Sequence, residues 1–136
     1  MCQRVMTPAI DRGKKTMDRI SPHTVRTMMK ISEEAEYSFR MATESAHKGD
    51  YHRALEQIEK VISTDPHLAM AWHEKANCLD ELGRCDEALS SYDTAIKLDP
   101  HHAEAWFNKG LTLQKMGKEK EAYQCMNRGV DLALGR

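Results

Sequence analysis

Cysteine and histidine are the side chains of this sequence best suited to bind a metal or act as nucleophiles, and it holds four cysteines and seven histidines. A zinc or dithiol site would commonly need two cysteines in CxxC spacing. Cys2, Cys78, Cys85 and Cys125 include no such pair. They are better explained as small side chains that mostly fill a core, in a reduced and therefore cytoplasmic protein.

Three histidines form the other candidate group. His67 and His101 occupy the same position in two successive segments of an internal repeat, and His102 follows directly. Stacked turns could bring His67 and His101 together, but these histidines alone leave the ligand set of a metal incomplete. The chain also lacks a Ser/His/Asp constellation, a Gly-rich phosphate loop and an HExxH sequence. The sequence therefore predicts no enzyme, no metal site and no cofactor.

Charge is distributed unevenly along a chain whose formal net charge is −1. Residues 1–34 carry seven Lys and Arg against four Asp and Glu, whereas residues 35–136 carry 13 against 17. An acidic main portion disfavours nucleic acid and anionic membranes as partners. No run of 18 apolar residues could span a bilayer, and the charges within residues 1–20 do not resemble a signal peptide.

The elements that position these residues follow from an internal repeat with a fixed period. Segments 35–68, 69–102 and 103–136 align without gaps, and each adjacent pair is identical at nine positions. Unrelated segments of this composition would share roughly two or three positions, so the self-similarity is the signature of a repeat architecture. The period predicts three copies of one structural unit.

Each unit has the pattern of two antiparallel helices. In the second unit, apolar residues at helical spacing precede Gly83, and a second apolar series follows it and stops at Asp99-Pro100. The first series is Trp72, Ala76, Leu79 and Leu82, and the second is Ala88, Tyr92, Ala95 and Ile96. Small residues recur at Ala42, Ala76 and Gly110 and at Ala54, Ala88 and Ala122. We expect helix axes to approach closely there.

The series Trp72, Leu79, Gly83, Ala88, Tyr92, Ala95 and Pro100 resembles the tetratricopeptide repeat, and Trp106, Gly110, Leu113, Gly117 and Ala122 match it again. The resemblance implies an all-α fold, a right-handed α-α superhelix of three helix-turn-helix repeats with an N-terminal extension. It also implies a concave groove, lined by the first helix of each repeat, that binds a peptide or helix of a partner and has no catalytic machinery. Ser38, Gly129 and Leu134 depart from the family pattern.

The resemblance assigns groove positions to each repeat. They are Phe39, Arg40 and Thr43 in the first; Met70, His73, Glu74, Asn77, Asp80 and Glu81 in the second; and Glu104, Phe107, Asn108, Leu111 and Lys115 in the third. Carboxylates outnumber bases among the groove positions, which favours a basic or amphipathic peptide. The alternative is that these charges are merely solvated.

Two other partners are disfavoured at these positions. Relatives that hold the C-terminal carboxylate of heat-shock proteins use lysines, asparagines and an arginine, where this chain has Glu74, Glu104 and Asn108. Two carboxylates would repel such a ligand. Helical repeats that bind single-stranded RNA have a slightly longer period, and an acidic groove would repel phosphates.

The ends of the chain leave alternatives open. Residues 1–20 are predicted to be a flexible basic arm, and residues 21–34 a capping helix or a partner-binding arm. The last helix is expected to expose apolar side chains, namely Tyr123, Met126, Val130, Ala133 and Leu134. We therefore predict a protein-protein interaction scaffold, with homo-oligomeric stacking through an uncapped C-terminal repeat as the alternative.

Overall fold

The computed structural model describes residues 22–136, with side chains from residue 33 onward. Every regular element in this range is a helix, as the all-α prediction requires. The helices are α1 Pro22–His47, α2 Tyr51–Thr64, α3 Ala69–Glu81, α4 Cys85–Leu98, α5 Ala103–Lys115 and α6 Glu119–Ala133. The predicted arm at residues 1–20 lies outside the described residues, and the capping role of residues 21–34 stays a prediction.

A glycine in the left-handed conformation joins the two helices of each hairpin. Gly49, Gly83 and Gly117 have φ angles of 82°, 80° and 81°. After α3, the amide of Gly83 donates to Asp80 over 3.0 Å, and the next amide donates to Leu79 over 2.8 Å. The same pair of bonds follows α1 and α5. These paired bonds close the helix end and reverse the chain, and glycine adopts this φ without a steric cost.

Small residues let the helices of a hairpin approach closely, as predicted. Ala76, Leu79, Ala88 and Tyr92 form one buried cluster between α3 and α4. In the third repeat, a Cβ on Gly110 would lie 2.8 Å from the carbonyl oxygen of Ala122 and would also overlap Met126. The helices of that hairpin therefore leave no room for a methyl group at this point.

The junction between repeats depends on the Asp-Pro pair and on a tryptophan. The side chain of Asp65 accepts from the amide of His67 over 3.2 Å, and Asp99 forms the equivalent bond to His101 over 3.1 Å. The indole of Trp72 donates to the carbonyl oxygen of Pro66. We predicted only packing for this tryptophan. The hydrogen bond adds a second role, since it ties the first helix of a repeat to the turn before it.

A lysine on α3 and a lysine on α5 each form an ion pair with the preceding repeat. Lys75 pairs with Glu59 of α2 over 2.8 Å, and at the same position of the next repeat Lys109 pairs with Asp93 of α4 over 2.6 Å. Each ammonium group also lies over a tryptophan ring of its own helix, 5.1 Å from the centroid of Trp72 for Lys75. These repeated contacts join α3 to α2 and α5 to α4, that is, each repeat to the one before it.

Candidate functional site

A cavity of about 320 Å³ opens between α3 and α5. Its lining is dominated by amide, carboxylate and ammonium side chains together with one leucine and one tyrosine. The lining residues are Asn77, Asp80, Glu81, Tyr92, Asn108, Leu111, Gln114 and Lys115. Six of them belong to the fourteen groove residues predicted from the sequence, so the structure brings this part of the prediction together at one place.

Hydrogen bonds between the two helices and the underlying α4 shape the floor of this cavity. The hydroxyl of Tyr92 donates to Oδ1 of Asn77 over 2.6 Å. The amide of Asn108 donates to the same oxygen over 3.3 Å and lies 3.0 Å from Nε2 of His73. Each member holds its neighbour in one orientation, which makes the floor a preorganised set of polar groups.

His73 was predicted to face the groove, and the structure places it beneath the surface, 3% exposed. Its ring lies 4.7 Å from the ring of His102 and 6.0 Å from that of Tyr92, measured between centroids. The pKa of His73 is lowered to about 4, mainly by burial and in part by the nearby His102, while Glu104 opposes the shift. His73 is therefore neutral at pH 7.

Glu74 lies beside His73 on α3, and 23% of its side chain is exposed. Burial raises the pKa of Glu74, and the negative charge of Glu104 raises it too, whereas Asn77 and two histidines act in the opposite direction. Nδ1 of His73 is 4.0 Å from Oε1 of Glu74, beyond hydrogen-bond distance. The negative charge of Glu104 thus acts on Glu74, and we call these two residues of the α3–α5 surface the acidic pair.

Asp80 and Lys115 close one side of the cavity. The ammonium group of Lys115 lies 2.7 Å from Oδ2 of Asp80, and this bond raises the pKa of Lys115. The lysine is half exposed, whereas Asp80 is 12% exposed. The ion pair neutralises one of the predicted groove carboxylates and leaves Glu74, Glu81 and Glu104 to set the charge of this surface.

Three large apolar side chains of α3 and α5 are exposed. Met70, Phe107 and Leu111 are 43%, 38% and 37% exposed, and Leu111 lines the cavity. Both Phe107 and Leu111 lie on α5. They offer apolar anchors next to hydrogen-bonding groups, a combination typical of sites that bind peptides.

The predicted groove residues of the first repeat contribute less. The hydroxyl of Thr43 donates to the carbonyl oxygen of Phe39 in its own helix over 3.0 Å. The guanidinium of Arg40 lies over the ring of Tyr37, 5.6 Å from its centroid. Phe39 is half-buried. These three side chains are not part of the cavity lining.

Tyr92 and His102 are site residues that the sequence did not identify as such. Tyr92 was assigned to the apolar face of α4, and it is buried, but its hydroxyl reaches the cavity floor. A buried phenol needs a hydrogen-bond partner, and that requirement was the available signal. His102 was considered only as a turn residue and a candidate metal ligand, and its contact with His73 depends on how the repeats stack.

Neither a metal site nor a membrane span is found in the described part of the chain. Between residues 33 and 136, no three His, Cys, Asp or Glu side chains cluster closely enough to hold a metal ion. None of the helices α1 to α6 combines the length and the apolar character that crossing a bilayer requires.

Comparison with known proteins places this geometry among α-helical repeat proteins. Residues 76–117 match the family described as TPR repeat, and residues 103–135 match Tetratricopeptide repeat. Residues 76–135 therefore carry tetratricopeptide repeats. A curated relative, the uncharacterized protein MJ0572 of Methanocaldococcus jannaschii, is 43% identical over 54 residues. The match spans 40% of this chain and 63% of that protein.

Solved structures share the fold at lower identity. YrrB, described as a TPR protein with an unusual peptide-binding site, has a TM-score of 0.68 and 22% identity, covering 72% of this chain and 50% of that chain. The second TPR of Spaghetti, bound to an HSP90 peptide, has a TM-score of 0.71 and 23% identity, covering 76% and 98%. The Yersinia enterocolitica translocator chaperone SycD has a TM-score of 0.74 and 18% identity, covering 76% and 79%.

Proposed function

We propose that this protein is an interaction scaffold that binds a peptide or a helix of a partner protein along the surface formed by α3 and α5. The cavity between these helices carries the proposal. Its floor leaves Nδ2 of Asn77 and Oδ1 of Asn108 for a main chain, and Leu111 is part of its lining. Two similar folds, YrrB and Spaghetti, are described with a peptide-binding site or a bound peptide, which supports this use of the fold.

The charge of the surface favours a basic or amphipathic partner. Once Asp80 is paired with Lys115, the carboxylates of Glu74, Glu81 and Glu104 remain. The peptide bound to Spaghetti, SRMEEVD, is acidic. Like charges across an interface repel each other and weaken binding, so we expect the present chain to reject such a peptide.

The alternative, end-to-end stacking of copies, lacks the contacts that join the repeats within the chain. Those contacts use a tryptophan and a lysine on one side and an acid and a proline on the other. At the equivalent positions the first repeat has Ser38 and Met41, and the third has Asn127 and Leu134. A copy placed at either repeat would therefore form neither the indole bond nor the ion pair.

The experiment is a selection of peptides from a random dodecapeptide phage library by the immobilised chain. Leu111→Arg places a bulky cation at the edge of the cavity, and we expect it to abolish selection. Tyr123→Arg is the matched control, because Tyr123 is also exposed but lies on α6. Both variants are checked by thermal melting. Selection that is equal for Leu111→Arg and the unaltered protein would contradict the proposal.

A further inference from the structure

Glu74 and Glu104 lack a cation, in contrast to Asp80 on the same α3–α5 surface; Glu81 lacks one too, but it is not among the charges that act on Glu74. Asp80 is paired with Lys115, and behind the surface Glu59 and Asp93 are paired with lysines. Among the described residues, neither Glu74 nor Glu104 forms an ion pair with a lysine or arginine. Burial is the main cause of the raised pKa of Glu74, and the nearby Glu104 raises it too, since two carboxylates without a counter-ion repel each other.

The adjacent His73 carries a buried donor that is directed at this acidic pair. Because Asn108 donates through its amide nitrogen, Nε2 of His73 accepts, and the ring proton therefore resides on Nδ1. Nδ1 is buried and has no hydrogen-bond partner in the described structure. It faces Oε1 of Glu74 at 4.0 Å, so a small rotation of that carboxylate would complete the bond.

We propose that Glu74 and Glu104 form a subsite for one positively charged side chain, lysine or arginine, of the bound peptide, and that His73 is the positioning residue that orients the Glu74 carboxylate through its Nδ1–H. The subsite rests on the peptide-binding function proposed above. The cation of the peptide supplies the counter-charge that the acidic pair lacks.

Among the described residues, no lysine or arginine forms an ion pair that would supply this charge to Glu74 or Glu104. His73 is adjacent, but burial keeps it uncharged above pH of about 4. His102 and His47 are the other titratable groups whose positive charge would act on Glu74, and Glu104 is the negative one. A bound cation favours the ionised form of Glu74, so affinity falls as the pH drops through its raised pKa.

The test uses peptides selected from the random library by the full chain. We expect them to share one lysine or arginine, and replacement of that residue by norleucine should lower affinity at least about tenfold, a factor that corresponds to 1.4 kcal/mol. For Glu74→Gln/Glu104→Gln, the same replacement should change affinity less than about twofold, since the charge-assisted contact is gone. The matched control Glu119→Gln/Glu121→Gln removes two exposed charges from α6 and should behave like the unaltered protein.

The outcomes separate this subsite from the proposed function. Selected peptides without a shared basic residue, or an equal norleucine effect in Glu74→Gln/Glu104→Gln, would overturn the subsite and leave peptide binding intact. If the unaltered chain selects nothing beyond what Leu111→Arg selects, peptide binding fails and the subsite fails with it.

The role of His73 is tested by the pH at which affinity for a selected basic peptide is half lost. In His73→Asn the amide nitrogen stands near the position of Nδ1, so the donor to Glu74 is kept and the midpoint should stay unchanged. In His73→Gln the amide stands near Nε2 and the donor is lost, so the midpoint should rise. Equal midpoints for the two variants would refute the positioning role.

Discussion

The indole nitrogen of Trp72 donates a hydrogen bond to the carbonyl oxygen of Pro66 over 2.9 Å, and one repeat later Trp106 donates to Pro100 over 3.0 Å. Proline ends the preceding helix, since it disfavours helical geometry in the residue before it. Its carbonyl then accepts a bond from the next repeat. The Asp-Pro pair thus ends one helix, and the carbonyl of its proline anchors the next helix, which lines the cavity.

Trp106→Phe should weaken the junction between the second and third repeats. The change removes the bond to Pro100 and part of the packing against Leu113, Ala122 and Cys125. We expect the free energy of unfolding to fall by about 1–3 kcal/mol, measured by urea denaturation. Tyr123→Phe is the control, because its exposed hydroxyl should contribute less than about 0.5 kcal/mol. Equal midpoints for both variants would show that the indole bond does not hold the repeats.

Gly129→Ala should destabilise the protein although alanine is the better helix former. A Cβ at this position would lie 2.8 Å from the carbonyl oxygen of Ala103 and 2.9 Å from the amide of Phe107, and backbone atoms cannot move aside. Helix propensity favours alanine by about 1 kcal/mol, and overpacking costs about 1–3 kcal/mol. We expect a lower melting temperature.

The matched control for this change is Asn127→Ala, at an exposed position of the same helix. Propensity alone operates there, so its melting temperature should stay equal or rise slightly. A Gly129→Ala variant more stable than Asn127→Ala would mean that α5 and α6 do not approach as closely as the structure shows.

His73 should make the fold sensitive to acid between pH 6.5 and pH 4. Its pKa in the folded protein, about 4, lies below the unfolded value of 6.5, so the unfolded chain binds the proton first as the pH falls. The stabilisation is therefore complete above pH 6.5 and is lost toward pH 4, at about 3 kcal/mol for this shift. His73→Gln should show a flatter dependence of unfolding free energy on pH in this window.

His67→Gln is the control for that pH series, because His67 is exposed in the turn before α3. Its curve should follow that of the unaltered protein. Parallel curves for His73→Gln and His67→Gln would show that His73 titrates normally in the folded state.

The features that recur in every repeat could be predicted from the sequence. The turns were predicted from Gly49, Gly83 and Gly117, and the close helix contacts from small residues such as Ala76. Each of these features requires one residue type, which recurs at a fixed spacing. Gly129 was noted only as a departure from the pattern. A glycine is found there because the backbone of α5 lies at contact distance, and that contact depends on the packing of one particular hairpin.

The candidate site was predictable in outline but not in its contacts. Family geometry places the repeat position of His73 in the groove, and Phe107, at the same position of the next repeat, is exposed. His73 is nevertheless buried, because it packs on the ring of His102 and contacts Asn108 of the next repeat. Contacts between side chains so far apart in the chain follow from how repeats stack, which spacing within one repeat does not specify.

The most direct test of the account is to locate a selected peptide on the folded chain by amide NMR. We expect the largest shift changes in the backbone amides of α3 and α5 and in the side-chain amides of Asn77 and Asn108, with Tyr123 and Val130 on α6 unchanged. Changes confined to α6, with the two asparagine side chains unaffected, would contradict the claim that the α3–α5 surface is the binding site.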